Sequence, residues 1–275
     1  MIPQYCISEW RQKAPWSEDY QVEQDLIISR VLIELYQNKK ISDSLVFRGG
    51  TALNKLYIKP PARYSEDLDF VQINPEPIGP TIACIRNTLD NWLGNPKGKL
   101  TERSAKLIYQ YVSYDGNLAK VKIEINTTEH FQVRDLKHID YSVKSEWFDG
   151  SSNIITYELE ELIATKLRAL YQRRKGRDLF DLWYVLMQEL VSVEEVIQIC
   201  FEYCKKDGQI ITRALFEKNL AQKYLNTDFK VDMQALLAQG TEWHFENAFN
   251  FVSKNIINKL PGKAWKGMAV GDEID

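Results

Sequence analysis

The sequence predicts an α+β fold: a domain of strands and helices over residues 1–153, followed by a helical domain over residues 154–275. Three observations support this prediction. Residues 106–113 and 118–126 alternate between apolar and polar side chains, as neighbouring strands do when one face is buried. Shorter strand-like and helix-like segments precede them. From residue 157 onward, apolar residues recur about every 3.6 positions, which is typical of helices.

The elements of the first domain follow from periodicity and from turn residues. Ser17 is a favourable N-cap for the first amphipathic helix, and the Pro60-Pro61 pair stops a later one. The Asp115-Gly116 pair suits the positive φ angles of a tight hairpin. In chain order we predict a helix over 17–36, a strand over 44–47, a turn at Gly49-Gly50, a helix over 51–57, a strand over 67–73, a helix over 81–92, a loop over 94–99 and the two hairpin strands.

The second domain is predicted to be helical throughout. A polar turn of Gly, Ser, Ser and Asn at residues 150–153 is expected to separate it from the first domain. The acidic tail, residues 271–275, is expected to fray. Helices are predicted over 158–171, 178–189 and 193–204, with two or three more before residue 259.

Composition excludes several classes of protein. The chain has 275 residues, 35 basic against 38 acidic side chains, a net charge of −3 and 44% hydrophobic residues, which together indicate an ordinary globular protein. The apolar stretch at residues 26–35 is interrupted by polar residues, well short of the roughly 18 residues that a membrane span requires, so no membrane partner is expected. The four cysteines show no paired spacing and the N-terminus lacks a secretory pattern, so we expect a cytoplasmic protein.

Two aspartates on one predicted strand indicate a metal site. Because strand side chains alternate, Asp67 and Asp69 share one face and Leu68 and Phe70 share the other. Two neighbouring carboxylates repel each other unless a cation neutralises them. Glu124 would join them if its strand lies alongside, and three carboxylates can hold two Mg²⁺ ions for phosphoryl transfer.

A glycine pair next to these carboxylates indicates a phosphate site. Gly49 and Gly50 precede a predicted helix, and backbone N–H groups at such a turn approach phosphate oxygens closely when no Cβ intervenes. Thr51 adds a hydroxyl. Each feature alone has an ordinary structural alternative: the glycines as a plain turn, the aspartates as a solvated strand face, and Glu124 with Lys122 as a surface ion pair.

Four segments in order resemble the AbiEii-type toxins, which belong to the polymerase-β-like nucleotidyltransferase superfamily. They are GGTAL at residues 49–53, RYSEDLD at 63–69, ELIATKLRAL at 161–170 and RDLFD at 177–181. The resemblance implies a nucleotidyltransferase-type mixed sheet flanked by helices, with the helical domain completing the active-site cleft. It departs from the superfamily's general pattern in having threonine where serine often follows the glycines.

Carried over by position, the resemblance assigns roles to individual residues. It implies nucleotide binding by Gly49, Gly50, Thr51, Ser65 and Lys166, and metal binding by Asp67, Asp69 and Glu124. It implies catalytic roles for Asp67, Asp69 and Lys166, and for Asp178 in preference to Asp181, either as a base for the acceptor hydroxyl or as a partner that orients Lys166. The implied cofactor is Mg²⁺, in a two-ion site, with Mn²⁺ as an alternative.

The resemblance also implies an activity and partners. The expected reaction transfers a nucleoside monophosphate from a nucleoside triphosphate (NTP) to a hydroxyl of RNA, with tRNA the favoured acceptor. The setting would be a bacterial toxin–antitoxin or phage-defence system with a separate antitoxin protein. Two alternatives stay open: a kinase that transfers the γ-phosphoryl group, and a catalytically silent nucleic-acid-binding module. The basic run at residues 166–177 is either a solvated face or a surface for triphosphate or RNA.

Overall fold

The computed structural model describes residues 2–267, which divide into two compact units. Unit 1 contains the chain up to Glu158 together with Leu237–Gly240, and unit 2 contains Leu159–Leu236 and the residues from Thr241 onward. The division of the chain therefore lies at Glu158, with one short return of the chain to unit 1. The acidic tail at 271–275 lies outside the described residues.

Unit 1 contains a seven-stranded sheet and five helices. Its helices are α1 Gln4–Trp10, α2 Asp19–Gln37, α3 Lys39–Ser44, α4 Gly49–Ala52, which a π-helical turn Leu53–Tyr57 continues, and α5 Gly79–Leu93. Its strands are β1 Leu45–Arg48, β2 Asp67–Gln72, β3 Lys97–Leu100, β4 Ser104–Val112, β5 Leu118–Asn126, β6 Lys137–Lys144 and β7 Asp149–Thr156.

The sheet is mixed, as predicted. Its strand order is β3-β4-β5-β2-β1-β7-β6, and the pairs β2–β5 and β1–β7 are parallel while the others are antiparallel. Strand β2 is the central strand and lies between β1 and β5. The predicted hairpin forms as β4 and β5, with Asp115-Gly116 in its turn and φ of +84° at Gly116.

Helix α2 forms the core of unit 1 with one face of the sheet. Leu68 and Phe70 of β2 are buried on this face, and the Phe70 ring lies 6.3 Å from Tyr36 of α2 and 5.3 Å from Phe47 of β1. Aromatic pairs at these separations add to the stabilisation from burial. The N-cap lies one residue later than the predicted Ser17: Glu18 caps the helix and exchanges capping hydrogen bonds with Gln21.

Two predictions of irregular structure are wrong. Residues 150–153 form part of β7 instead of a polar turn, and residues 97–99 of the predicted loop belong to β3. All four residues of β3 are exposed, and in β7 only Ile154 and Thr156 are buried. These strands are held by backbone hydrogen bonds near the sheet edges, where polar side chains can remain in solvent, so their sequences carry no apolar alternation.

Unit 2 is helical, as predicted. Helices α6, α7 and α8 correspond to the three predicted ones, and three more follow before residue 268, in agreement with the expected number. The helices are α6 Leu159–Gln172, α7 Gly176–Met187, α8 Val193–Lys206, α9 Arg213–Tyr224, α10 Thr227–Val231 and α11 Phe245–Asn255, followed by a 3-10 turn Ile257–Lys259. No helix in the described part of the chain combines the length and the apolar character that a membrane span requires.

Candidate active site

The two aspartates lie on the sheet face opposite α2, as the alternation predicts. Leu68 between them is fully buried, whereas both carboxylates are partly exposed. In the sheet register Asp69 lies between Arg48 of β1 and Glu124 of β5, and Asp67 lies opposite Lys122. Glu124 therefore stands on the same face as the aspartates, because β5 is the parallel neighbour of β2.

Lysines neutralise part of this acidic face. The Lys122 ammonium lies 2.9 Å from Oδ2 of Asp67 and 3.2 Å from Oε2 of Glu124, and Lys106 lies 2.9 Å from Oε1 of Glu124. Burial acts to raise the pKa of Glu124, but the hydrogen bond from Lys106 and the charge of Lys122 outweigh it, and the pKa is lowered. Glu124 is thus an ionised carboxylate with two cationic partners.

The two aspartates have the chemistry of a magnesium site. Mg²⁺ prefers oxygen ligands and is commonly held by one or two carboxylates together with water and substrate phosphates. Asp67 and Asp69 provide such a pair. Within residues 2–267, no three Asp, Glu, His or Cys side chains gather closely enough to hold a metal ion. Glu124 is therefore not gathered with the aspartates here, and its role as a third ligand stays a prediction.

Gly49 and Gly50 were predicted to form a turn before a helix, but the structure places both at the start of α4. This first turn of α4, here called the glycine turn, approaches the carboxylate pair closely. Gly49 has a φ of +84°, in the left-handed region that favours glycine. A Cβ at this position would lie 2.5 Å from Oδ2 of Asp69, and a Cβ at Gly50 would overlap the guanidinium of Arg63. Because glycine has no side chain, the Asp69 carboxylate can occupy the space beside Gly49, and the Arg63 guanidinium can occupy the space beside Gly50. This brings the backbone of the turn against the Asp69 carboxylate.

Hydroxyl groups connect the turn to β2. The Thr51 hydroxyl is fully buried and hydrogen-bonds to the backbone carbonyl of Asp67 and, at 2.9 Å, to the hydroxyl of Ser65. Because the carbonyl can only accept, the Thr51 proton goes to Asp67 and the Ser65 hydroxyl donates to Thr51. Thr51 and Ser65 thus fix the start of β2 against the turn.

Asn54 and Arg63 are site residues that the sequence analysis missed. The buried Asn54 amide donates to the carbonyl of Gly50 at 3.0 Å, and its oxygen accepts from the backbone N–H groups of Ala62 and Arg63 at 3.2 Å each. Arg63 is 1% exposed and donates to the carbonyl of Tyr64. An asparagine directly after the apolar Ala52-Leu53 pair was the available signal, because a polar residue at such a position needs partners.

In unit 2, Lys166 lies in a buried ionic network. Its ammonium is 3.2 Å from Oδ1 of Asp178 and 2.9 Å from Oδ2 of Asp181, and both carboxylates are fully buried. Arg173 donates two hydrogen bonds to Asp178, at 2.7 and 2.9 Å. Burial acts to raise the pKa of Asp178, but the charges of Lys166 and Arg173 outweigh it and lower the pKa to about 2. Asp178 is therefore ionised at neutral pH.

Most of the basic run is paired within unit 2 and does not form a free cationic face. Besides Lys166 and Arg173, Arg168 pairs with Asp207 at 3.1 Å, and Arg177 pairs with Asp232 at 3.4 Å. The side chains of Arg174 and Lys175 are exposed. The side chain of Arg173 is also exposed, although it pairs with Asp178.

Comparison with known proteins relates this site to a family. A model of the AbiEii family, described as nucleotidyl transferase toxins of type IV toxin–antitoxin systems, matches residues 30–251. The chain matches no curated protein. Its fold is similar to that of the nucleotidyltransferase toxin MenT4 from Mycobacterium tuberculosis, with a TM-score of 0.61 and 15% identity over 95% of this chain and 91% of that one. It is also similar to JHP933 from Helicobacter pylori, with a TM-score of 0.53 and 19% identity over 87% and 90% of the two chains.

The family match covers most of the chain, including the glycine turn, both aspartates of β2 and the Lys166 network. The similar structures agree with it in fold. The resemblance drawn from the four sequence segments is therefore confirmed, and the chain belongs to the AbiEii family of nucleotidyltransferase toxins.

Proposed function

We propose that the chain transfers a nucleoside monophosphate from an NTP to a hydroxyl of RNA, with Mg²⁺ and with release of pyrophosphate. One observation carries the proposal: the Gly49 backbone lies against the Asp69 carboxylate, with Asp67 on the same sheet face. A side-chain-free turn for phosphates and a pair of oxygen ligands for a cation are thereby adjacent. Phosphoryl-transfer sites need both, because most of their rate comes from positioning and charge neutralisation.

In unit 1, different residues would bind the metal ion and the triphosphate. Asp67 and Asp69 would hold Mg²⁺, which when bound neutralises negative charge on phosphate oxygens. The backbone N–H groups at Gly49 and Gly50 would bind the triphosphate. The Thr51 hydroxyl is already used by Asp67 and Ser65, so its proposed part is to hold the turn in place.

Roles are also proposed for Lys166 and Asp178. We propose that Lys166 binds the triphosphate and that Asp178 orients it. A carboxylate with a pKa of about 2 is a weak general base at neutral pH, which favours the orienting role over proton abstraction. Asp181 holds the same ammonium at 2.9 Å and supports it in the same way.

The acceptor and the biological setting rest on the family. Membership of a toxin family supports a harmful modification of a cellular molecule and a cognate antitoxin partner. We propose tRNA as the acceptor, bound in part through cations such as the exposed Arg174 and Lys175, because phosphate neutralisation supplies much of the affinity for nucleic acids.

The experiment combines purified protein, Mg²⁺ and total cellular RNA with each of the four NTPs, labelled in turn at the α-phosphate. Asp67→Asn removes one carboxylate charge at nearly constant shape. Asp43→Asn, at an exposed position of α3, is the matched control. We expect label in RNA from one NTP with the wild type and with Asp43→Asn, and a loss of at least about 100-fold with Asp67→Asn, since removal of a charge-stabilising group typically costs this much. Size separation of the labelled RNA then tests tRNA as the acceptor.

Other outcomes distinguish the alternatives. Label from the γ-phosphate in place of the α-phosphate would establish a kinase. RNA binding without consumption of any NTP would indicate a silent binding module. Incorporation that does not change in Asp67→Asn would refute the assignment of the site.

A further inference from the structure

The sheet face that carries the two aspartates continues across β5, β4 and β3 of unit 1. The strand register places two rows of side chains on this face, and each row begins at an aspartate of β2 and ends at a lysine of β3. Neighbouring strands lie about 4.8 Å apart, so each row extends about 14 Å from β2 to the sheet edge. The first row consists of Asp67, Lys122, Ile108 and Lys97, and the second consists of Asp69, Glu124, Lys106 and Lys99.

This face is the solvated side of the three strands. On the opposite side, Val121, Ile123 and Ile125 of β5 are buried, and Tyr109 of β4 is buried with its hydroxyl donating to Asp90 of α5 at 2.9 Å. On the face with the two rows, every side chain of β3, β4 and β5 is exposed or half-buried. A molecule in solution can therefore approach these side chains.

Three lysines of this face pair with no carboxylate within residues 2–267. Lys97 and Lys99 of β3 and Lys120 of β5 are exposed and make no ion pair there, whereas Lys106 and Lys122 pair with acids of the same face. Lysines often protect a sheet edge against strand addition, but β5 is an interior strand, so edge protection does not account for Lys120. We call Lys97, Lys99 and Lys120 the lysine surface.

The composition of the face favours a phosphate backbone as the ligand. No Phe, Tyr or Trp belongs to this side of β3, β4 and β5, whereas proteins that bind single strands stack bases on aromatic rings. Its large exposed apolar side chains are Val112 and Leu118, one facing pair at the end of the hairpin. Protein–protein interfaces have an apolar centre and few lysines. Base-paired RNA, in contrast, is recognised mainly through its phosphates and its shape.

We propose that the lysine surface binds the phosphates of a base-paired stem in the acceptor RNA, and that the two rows lead from this stem to the aspartates. The inference rests on the proposed function for the choice of RNA as the ligand. A stem held at β3 and β5 has its end directed along the face toward Asp67 and Asp69, where the accepting hydroxyl must be. The surface thereby positions the acceptor without contact to its bases.

The test measures RNA binding by fluorescence anisotropy in EDTA and without NTP, so that neither turnover nor a metal site contributes. The probes are a labelled RNA hairpin with a short unpaired 3′ end and a single strand of equal length that cannot pair. One variant combines Lys97→Gln, Lys99→Gln and Lys120→Gln. The control has the same change of charge at exposed positions of α3 and β6, and combines Lys39→Gln, Lys40→Gln and Lys144→Gln.

The salt dependence gives the expected size of the effect. Each phosphate contact to a duplex contributes about 0.9 to the slope of log K against log salt concentration. We therefore expect the slope for the hairpin to fall by about 2 to 3 in the lysine-surface variant, and its affinity at about 50 mM salt to fall at least about tenfold. The control variant should bind as the wild type does. Replacement of the same three lysines by arginine keeps the charge and should retain both slope and affinity.

Two results would overturn the inference. One is an equal salt slope in the wild type, the lysine-surface variant and the control, which would leave this face to another occupant such as an acidic protein. The other is a single strand that binds as tightly as the hairpin. The proposed function is tested separately by transfer in Mg²⁺. Lysine-dependent hairpin binding without transfer by the wild type would refute the proposed function and support the surface, whereas transfer with lysine-independent binding would overturn the surface alone.

Discussion

Gly49→Ala tests the contact on which the proposed site depends. The new Cβ would stand 2.5 Å from Oδ2 of Asp69, whereas an ordinary van der Waals contact begins at about 3.4 Å. The carboxylate must therefore retreat by roughly 1 Å. A misplacement of about 1 Å in a catalytic group can cost about 100-fold in rate, which corresponds to about 2.7 kcal/mol in activation free energy.

The backbone contributes a separate cost to stability. Gly49 has a φ of +84°, and an alanine forced into the left-handed region costs about 1–2 kcal/mol. Gly116 in the β4–β5 hairpin has the same φ of +84°, and a Cβ there would meet nothing within 4 Å. Gly116→Ala is therefore a matched control, because it carries the backbone cost without the contact to Asp69.

The assay compares the two variants in urea unfolding and in nucleotide transfer. Both should lose about 1–2 kcal/mol of unfolding free energy through the backbone term. Only Gly49→Ala should lose about 100-fold in transfer rate. Equal activity in the two variants would refute the reasoning that the empty space at Gly49 serves the Asp69 carboxylate.

Further predictions concern three other polar networks. The pKa of Asp178 is lowered from 3.8 to about 2, so its carboxylate contributes about 2 kcal/mol of stability above pH 4 that is lost as the pH falls toward 2. Asp178→Asn should therefore lower the unfolding free energy in urea by about 3 kcal/mol at pH 7 and by less at pH 3; a constant difference would contradict this. Asn54→Ala removes three buried hydrogen bonds and should lower the unfolding free energy by about 3 kcal/mol in the same assay. A loss of less than about 1 kcal/mol would show that Asn54 does not hold Ala62 and Arg63 in place. Lys122→Gln removes the ammonium that pairs with Asp67 and should tighten Mg²⁺ binding severalfold in calorimetry; unchanged affinity would show that the lysine does not compete.

The centre of the site could be predicted from the sequence because its signals are local. The alternation of Asp67, Leu68 and Asp69 is a property of one strand, and two adjacent glycines favour a close approach of the backbone to neighbouring groups. The expectation that Glu124 joins the same face depended on β5 lying beside β2, and the sheet has that order. These elements are specified within a few residues of sequence.

The parts that could not be predicted depend on long-range pairing. Lys122 contacts Asp67 across 55 residues of sequence, and Lys55 contacts Asp25 across 30. Neither pair follows from periodicity, since only the folded register brings the partners together. The same holds for Trp16, whose burial places an indole in a cavity wall that four separate segments of chain complete.

The strands at and next to the sheet edges show a second limit. In β6 and β7 the residues alternate mainly between exposed and half-buried positions, and β3 is exposed throughout. Backbone hydrogen bonds hold these strands to their neighbours, and such bonds are available to any residue except proline. A strand that buries little apolar surface therefore shows no clear alternation of apolar and polar residues, and it cannot be predicted from that pattern.

The most direct test of nucleotidyl transfer compares two labels in one reaction series. The protein is incubated with Mg²⁺, RNA and its preferred NTP, labelled either at the α-phosphate or at the γ-phosphate, and the RNA is then isolated. Asp69→Asn is run in parallel, because Asp69 is the carboxylate that packs against the glycine turn. We predict α-label in RNA, γ-label only in released pyrophosphate, and neither product with Asp69→Asn. γ-label in RNA, or α-label that persists in Asp69→Asn, would contradict the proposed reaction and the site assigned to it.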